Sequence, residues 1–347
     1  MKAHLLYSLC LLVPLCGCTG GDDGANPGPN QNGGGKRQFI SMGTAPIGGA
    51  FQVVGSALSE VLNEKKGTKN WKVQAKGTKG SQENIRRLVR DELQLALSNS
   101  AISFFAVRGE SGWQKKHDIR AIATLAPNVA MFITKQDSGV KRIADLRGKR
   151  AVIGPAGAGF DMFVEPILKE HGITYADLRD KLNNNQSGAV DMLADGNADA
   201  AFLGGAVPTG SITQACSSHD IYFVPFEADA KARLVEKYPF FQPVTVPADK
   251  YSDLIEDYQG LNVGSMHLIT SAGQDEELIY QITKTIWENR AAIAAKHPVG
   301  KFINEKNAAR FTGTDFHPGA IRFYKEIGIF DERATEKARD RQAVGRK

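Results

Sequence analysis

Short apolar runs alternate with amphipathic segments along most of the chain. The runs predicted to form strands are residues 38–43, 71–76, 93–97, 151–153 and 200–203. Segments between them, such as 50–64 and 161–171, place apolar side chains at helical spacing, and most runs end in a turn rich in glycine or small polar residues. Strands that alternate with helices in this way predict an α/β fold.

Strand-to-helix turns are the main functional feature of this pattern. Five of them follow Gly43, Gly77, Leu97, Ile153 and Leu203. The first amide N–H groups of a helix have no partner within it, and the helix dipole adds about half a positive charge, so such turns bind anions without any lysine. Any one turn is better explained by close packing of strand and helix. Three turns in the first half and two in the second favour a shared cleft, because strand ends in open α/β sheets gather around one crevice.

The second half of the chain repeats the first weakly, which predicts two lobes. The segments around Leu88 and Leu193 are similar at a constant offset of 105 residues. We expect the chain to cross between the lobes near residues 125–127, to begin its return at 224–226, and to form a returning strand at 261–270. The predicted organisation is lobe one at 38–125 and 227–331, lobe two at 126–226, and a polar C-terminal tail at 332–347.

The N-terminus has the features of a targeting segment. Lys2 precedes an apolar stretch at 5–15, which is too short to span a bilayer core of about 30 Å. The stretch ends Leu-Cys-Gly-Cys at residues 15–18, which resembles a bacterial lipobox and predicts a lipoprotein signal peptide at 1–18 with Cys18 as the lipidated residue. An ordinary signal peptide that contains cysteines is the alternative. The Gly-, Asn- and Pro-containing residues 19–37 then predict a flexible tether with a reach on the order of 20–25 Å.

Composition and charge exclude several classes of protein. The chain has 347 residues, a length that suggests two domains, and its 43 Lys+Arg against 38 Asp+Glu give a net charge of only +5. Affinity for a nucleic-acid backbone requires more concentrated basic charge. Three of the four cysteines lie at or before residue 18, so the body, which retains only Cys216, cannot form an internal disulfide.

The sequence lacks the motifs of the common enzyme sites. No two of its seven histidines have the i, i+4 spacing of a helical zinc site, and there is neither a Gly-x-Ser-x-Gly elbow nor a Walker loop. The glycines at 154–159 read Gly-x-x-Gly-x-Gly rather than the dinucleotide pattern Gly-x-Gly-x-x-Gly. Cys216 is either a thiol nucleophile near His219 or an inert, buried cysteine, and the second reading is favoured. We therefore expect no catalytic residue, no cofactor and no metal.

Four segments of the body resemble one family of transport receptors. They are the turn Gly-Thr-Lys-Gly-Ser-Gln-Glu-Asn at 77–84, the lobe-two entry at 139–152, Lys-Tyr-Pro-Phe-Phe at 237–241 with the return segment 243–247, and Phe-His-Pro-Gly-Ala at 316–320 with Tyr324. Together they resemble the solute receptors of TRAP-type transporters, specifically the TAXI branch, over about residues 39–330. The third and fourth segments are the most distinctive.

The resemblance implies a type II-like periplasmic-binding-protein fold that closes about a hinge. It implies an extracytoplasmic receptor that presents a small, carboxylate-bearing organic anion to an integral-membrane TRAP permease, with no cofactor and no nucleic-acid partner. The ligand-binding positions that it implies are Thr44, Gly48, Gly49, Thr78, Gly80, Ser81, Ser98, Asn99, Pro127, Gly157, Ala158, Gly159, Phe160, Gly204 and Gly205.

The chain departs from the family's pattern at two turns. Residues 157–160 read Gly-Ala-Gly-Phe where the family commonly has Gly-Ser-Gly-Thr, and 47–51 read Ile-Gly-Gly-Ala-Phe where it commonly has tyrosine. We therefore expect backbone N–H groups at 154–161 to hold the anion, and Phe160 to favour a solute with an apolar portion. The side-chain contacts are expected from Thr78, Ser81, Ser98 and Asn99. Two alternatives remain open: a ligand-sensing module for a signalling partner, and a cleft enzyme acting on a phosphate- or carboxylate-bearing substrate.

Overall fold

The structure is a computed structural model that describes residues 37–46 and 50–344. Arg37 begins a compact unit that continues to the C-terminus. The predicted signal peptide with Cys18, the tether up to residue 36, and the predicted site residues Gly48 and Gly49 lie outside the described residues.

Twelve strands are described. They are β1 (Gln38–Gly43), β2 (Trp71–Lys76), β3 (Leu95–Asn99), β4 (Ile119–Thr124), β5 (Val129–Lys135), β6 (Arg150–Val152), β7 (Asp180–Leu182), β8 (Ala200–Gly205), β9 (Ile221–Phe223), β10 (Phe241–Val246), β11 (Tyr258–Val263) and β12 (Met266–Ser271).

Eleven α-helices are described. They are α1 (Ala50–Glu64), α2 (Ser81–Leu88), α3 (Ser100–Arg108), α4 (Asp161–Glu170), α5 (Gln186–Ala194), α6 (Gly210–Ser218), α7 (Ala228–Lys237), α8 (Glu276–Glu288), α9 (Arg290–Lys296), α10 (Pro318–Glu326) and α11 (Glu332–Val344). Short 3₁₀ helices lie at Ile143–Leu146, Tyr175–Asp177, Ala248–Lys250 and Pro298–Phe302.

The strands form two sheets. The first has the order β2-β1-β3-β12-β4, in which β2, β1 and β3 are parallel and β12 runs antiparallel to both neighbours. The second has seven strands, in the order β10-β11-β5-β8-β6-β7 with β9 paired to β5. We call the first sheet with its helices lobe one and the second lobe two. The predicted architecture of two βα sheets is confirmed.

Apolar helix faces cover the first sheet on one side. Helix α1 buries Leu58 and Leu62 completely, and α8 and α10 pack in the same hydrophobic cluster. Tyr324 of α10 is fully buried and donates its hydroxyl to the carbonyl of Ile122 in β4 at 2.9 Å. A second cluster joins α2 and α3 to the interior of the second sheet, so buried apolar contacts run continuously from one sheet to the other.

The chain leaves the first sheet where the sequence predicts, but it returns elsewhere. Strand β4 belongs to the first sheet and β5 to the second, so the first crossing lies between residues 124 and 129. The return at 224–226 is a correction: β10 and β11 add to the second sheet, and the chain re-enters the first only between β11 and β12. The predicted single strand at 261–270 is two strands, because Gly264 has a φ of +115° and breaks the run.

The predicted polar C-terminal tail at 332–347 is helical over most of its length. Helix α11 covers Glu332–Val344. Its sequence is mostly Ala, Glu, Lys, Arg and Gln, which are strong helix formers, so it forms a helix with little apolar character.

Candidate functional site

The carboxyl ends of β1, β2 and β3 meet at one edge of the first sheet, and Asn84 holds them together. The side chain of Asn84 is fully buried, and its Nδ2 donates to the carbonyl oxygens of Thr44 at 2.7 Å and Leu97 at 2.8 Å. Thr44 is also buried, and its hydroxyl donates to the carbonyl of Lys76 at 2.8 Å. The predicted site residue Thr44 therefore joins β1 to β2 in this structure.

The β2–α2 turn is fixed by its own polar side chains. The Thr78 hydroxyl donates to the Thr44 carbonyl at 3.0 Å and accepts the N–H of Gly80 at 3.1 Å. The Ser81 hydroxyl accepts the N–H of Asn99 at 3.0 Å, which ties the turn to the end of β3. Both side chains are buried, and their hydroxyls are engaged within the protein.

The polar side chains of the β3–α3 turn are likewise hydrogen-bonded within the protein. Asn99 caps α3 by accepting the N–H of Ala101 at 2.8 Å and donates to the carbonyl of Gly264 at 2.9 Å. The Ser98 hydroxyl accepts from Ser103 at 2.9 Å and donates to the carbonyl of Asn99. The N–H of Ser100 is also bonded, to the carbonyl of Ser265 at 2.9 Å. These two turns therefore leave for a ligand chiefly the N–H groups at the start of α2, which have no acceptor within the helix.

The turn at 154–159 in lobe two has a backbone conformation that favours glycine at three positions. Gly154, Gly157 and Gly159 have φ values of +134°, +74° and +92°, a region that L side chains rarely adopt. The ring of Phe160 lies directly over Gly154, where an added Cβ would come within 2.5 Å of it. Phe160 also contacts Phe163 at a ring distance of 5.1 Å. The phenyl ring therefore packs into lobe two beneath the turn.

The turn of lobe two touches lobe one at Gly159. A Cβ built on Gly159 would lie 2.8 Å from Cδ1 of Ile102 in α3 and 3.2 Å from Cγ of Gln82 in α2. Gly159 is buried, whereas Gly157 is exposed and has nothing within 4 Å of its built Cβ. The absence of a side chain at 159 thus permits the close approach of two predicted site turns.

Gly204 and Gly205 end β8 next to the start of β5. An added Cβ at Gly204 would lie 2.3 Å from Cβ of Ala130, so the strands are closely packed here. The side-chain amide of Gln186 forms two hydrogen bonds with the backbone of Gly204. Its Nε2 donates to the Gly204 carbonyl at 2.8 Å, and its Oε1 accepts the Gly204 N–H at 3.1 Å. The Ser211 hydroxyl also donates to this Oε1.

The two crossing segments lie side by side, at the place where a hinge is predicted. The N–H of Leu125 donates to the carbonyl of Met266 at 2.7 Å, and the N–H of Val263 donates to the carbonyl of Asn128. Asn262 accepts the N–H groups of Asn128 and Gly264 through its Oδ1. Pro127, a predicted site residue, lies within this arrangement.

A half-buried arginine lies against these crossing segments. Arg310 donates from Nη2 to the hydroxyl of Ser265 at 2.8 Å and from Nε to Oδ1 of Asn307 at 3.1 Å. Burial lowers the pKa of Arg310 to about 10, so it remains protonated at neutral pH. Within residues 37–46 and 50–344, no carboxylate pairs with it, and its Nη1 has no hydrogen-bond partner. The crossing segments therefore carry a positive charge that has no carboxylate partner among the described residues.

His267 lies near this arginine in the interior of lobe one. Its ring is fully buried and its Nε2 is 2.8 Å from the Ser103 hydroxyl. Burial, and to a smaller extent the charge of Arg310, lowers the pKa of His267 to about 3, so the ring is neutral at pH 7.

The remaining charges at the turns have mixed sign. Lys76 and Lys79 flank the β2–α2 turn, and no ion pair of either is present among the described residues. Asp161 begins α4, where its carboxylate is 2.6 Å from the ammonium of Lys181. A negative charge at the start of α4 opposes the binding of an anion there, and the Lys181 ion pair reduces this opposition.

The structure brings most of the predicted site residues to facing edges of the two sheets. Their direct contact with a ligand stays a prediction. Sequence reasoning missed the residues that shape the site: Asn84, Gln82, Ile102, Gln186, Asn262 and Arg310. Of these, only Asn84 carries a sequence signal, since it closes the motif at 77–84.

No catalytic group is evident at these turns. Burial first, and then Asp253, raises the pKa of the Cys216 thiol to about 11, which favours the inert reading of this residue. In the part of the chain that the structure describes, no cluster of three His, Cys, Asp or Glu side chains is arranged to hold a metal ion. A helix long and apolar enough to cross a membrane is likewise absent from that part.

Several solved structures share this fold. PhnD1 from Prochlorococcus marinus in complex with methylphosphonate is 11% identical, with a TM-score of 0.54 over 87% of this chain and 98% of its own. A binding protein component of an ABC phosphonate transporter from Pseudomonas aeruginosa is 10% identical, with a TM-score of 0.51 over 90% and 97%. A Xanthomonas citri protein bound to ATP is 10% identical, with a TM-score of 0.51 over 88% and 99%. The predicted two-lobed periplasmic-binding-protein fold is confirmed. The model of the NMT1-like family matches residues 42–328.

Proposed function

Because the chain belongs to the NMT1-like family, with the fold of periplasmic binding proteins, we propose that it is an extracytoplasmic receptor for a small organic anion. The solute binds between the lobes and is delivered to a membrane transporter. The observation that carries this proposal is the meeting of the turn at 154–161 with α2 and α3, where Gly159 lies against Ile102 and Gln82. Facing turns on two lobes, joined by a two-segment hinge, are suited to closure around a ligand.

The charges at the site support an anion. The positive dipole ends of α2, α3 and α4 lie at these turns, and the first N–H groups of α2 have no acceptor within the helix. Arg310 adds a guanidinium that has no carboxylate partner among the described residues. Lys76 and Lys79 add positive charge beside the first of these termini. The hydroxyl groups nearby are engaged within the protein, so we propose that backbone N–H groups and these cations recognise the solute, with an apolar portion near Phe160.

A carboxylate-bearing solute and a TRAP permease are the specific proposals, and they rest on the resemblance to TAXI receptors. The alternative partner is an ABC importer with a phosphonate solute, which the descriptions of two structural neighbours favour. Uptake in whole cells separates the two. A TRAP system predicts uptake that stops when the ion gradient is collapsed while ATP is maintained. Uptake that follows ATP and persists without the gradient would assign the receptor to an ABC importer.

We further propose that Cys18 carries the lipid that holds the receptor to the outer face of a membrane. Cys18→Ala is expected to abolish incorporation of labelled lipid and to move the protein from the membrane fraction to the soluble fraction. Cys16→Ala is a matched control, because it changes the neighbouring cysteine and leaves the lipidation residue in place. Unchanged lipid labelling in Cys18→Ala would contradict the anchor.

A further inference from the structure

One end of lobe one carries positive charge around an exposed aromatic ring. Residues 65–82 contain six lysines and no acidic residue. Four of these lysines lie in or beside the α1–β2 connection and at the start of β2, together with Arg37 and Phe39 at the start of β1. We call this surface the basal patch: Arg37, Phe39, Lys65, Lys66, Lys69 and Lys72.

The geometry of β1 and β2 brings the members of the patch together. Phe39 pairs in register with Lys72, and the N–H of Gln38 donates to the carbonyl of Asn70 at 2.8 Å. Phe39 is 70% exposed, although most large apolar side chains of this sheet are buried. The ammonium of Lys66 donates to the carbonyl of Trp71 at 3.3 Å, and the ammonium of Lys69 lies 5.6 Å from the centre of the Trp71 ring.

The charge of the patch is not neutralised by the described part of the protein. None of its four lysines forms an ion pair within the described residues. The nearest acidic side chains of α1, Glu60 and Glu64, are 3.0 and 3.1 Å from the ammonium of Lys296. Glu92, at the nearby end of α2, pairs with Arg87.

The position of the patch indicates what it faces. It lies at the amino ends of β1 and β2, whereas the candidate site lies at their carboxyl ends, roughly 20 Å away for six-residue strands. Arg37 follows Cys18, the proposed lipidation residue, in the chain and lies at this end of the sheet. A lipid on Cys18 would therefore join the membrane to the end of lobe one that carries the basal patch.

We propose that the basal patch binds the anionic headgroups of a phospholipid surface, with Phe39 entering the interface. Lysines near such a surface each contribute about fivefold in affinity, and an exposed aromatic ring is suited to the headgroup region. Lobe one thereby rests on the membrane while lobe two is free to close. The proposal concerns orientation on the membrane and is independent of which solute is bound.

The test uses the body from residue 37 onward, which is a compact unit with its own hydrophobic clusters. We expect this body to sediment with vesicles of phosphatidylcholine containing 30% phosphatidylglycerol at low salt, and not with pure phosphatidylcholine. The triple variant Lys65→Glu, Lys69→Glu, Lys72→Glu should bind at least about thirtyfold more weakly. The control Lys116→Glu, Lys301→Glu, Lys306→Glu changes the net charge equally at exposed lysines elsewhere and should retain more than half of the binding.

Equal losses in the two triple variants, or no binding of the body to the anionic vesicles, would overturn the proposal. Phe39→Trp tests the insertion separately, because the three native tryptophans are no more than 9% exposed. We expect its emission to shift to shorter wavelength on anionic vesicles. An unshifted emission from vesicle-bound protein would refute the insertion of residue 39. Solute affinity should be unchanged in the patch variants, so a failure here is distinguishable from a failure of the receptor assignment.

Discussion

Gly159→Ala is expected to lower the affinity for the bound anion at least tenfold, while Gly157→Ala changes it by less than about threefold. Both glycines have a positive φ, so alanine introduces similar backbone strain at either position. Only at 159 does the new methyl group meet the other lobe, at 2.8 Å from Cδ1 of Ile102. Overpacking of this kind costs typically 1–3 kcal/mol, which here opposes closure and therefore binding.

The contact can be isolated with a second substitution. Ile102→Ala removes the atoms that the new methyl group would meet, so the double variant Gly159→Ala, Ile102→Ala should bind more tightly than Gly159→Ala alone. Affinity is measured by calorimetry with the solute recovered from the protein. Small-angle scattering should show that saturating solute reduces the radius of gyration of the wild type and of Gly157→Ala. Equal affinities of the two single variants would contradict closure through this contact.

Acid is expected to destabilise the protein largely through His267. Its pKa is about 3 in the folded protein and 6.5 when unperturbed, so the unfolded chain binds more protons between these values. The free energy of unfolding is therefore fully retained above pH 6.5 and falls as the pH decreases toward 3. Between pH 6.5 and 4.5 the loss from His267 alone is about 2–3 kcal/mol.

His267→Gln separates this effect from that of the other histidines. Glutamine can still bond to the Ser103 hydroxyl but does not titrate, so the variant should lose about 2–3 kcal/mol less than the wild type over the same pH interval. Urea unfolding at pH 6.5 and 4.5 measures both losses. Burial also lowers the pKa of His171 and His317, and their contributions cancel in the comparison. Equal losses in the two proteins would show that His267 accounts for none of the acid sensitivity.

The sequence was sufficient to predict the alternation of strands and helices and the first crossing between the sheets. It did not reveal the second crossing, because residues 258–271 contain neither a proline nor an acidic residue, lysine or arginine that would mark a break between two strands. The break depends on Gly264, where a Cβ would lie 2.3 Å from Oδ1 of Asn99. That close approach involves a residue far away in the chain, so no local pattern could indicate it.

The sequence indicated where the candidate site residues lie better than it indicated what their side chains do. Thr78 and Ser81 do lie on a turn at the facing edges, but their hydroxyls bond to the backbone of neighbouring strands. Residue type indicates that a hydroxyl is available and does not indicate which partner it has. Arg310 was not predicted because its relation to Ser265 exists only in the folded chain, and a lone arginine in a loop is usually solvated.

Native mass spectrometry of the freshly purified wild-type protein tests the central claim most directly. A receptor for a small organic anion should retain a single solute of a few hundred daltons or less. The mass of the released solute should identify it as an acid. Gly157→Ala should carry the same solute, and Gly159→Ala should carry much less of it, because only the second substitution meets Ile102. A retained cation, or equal solute in the two variants, would contradict an anion-binding site between the lobes.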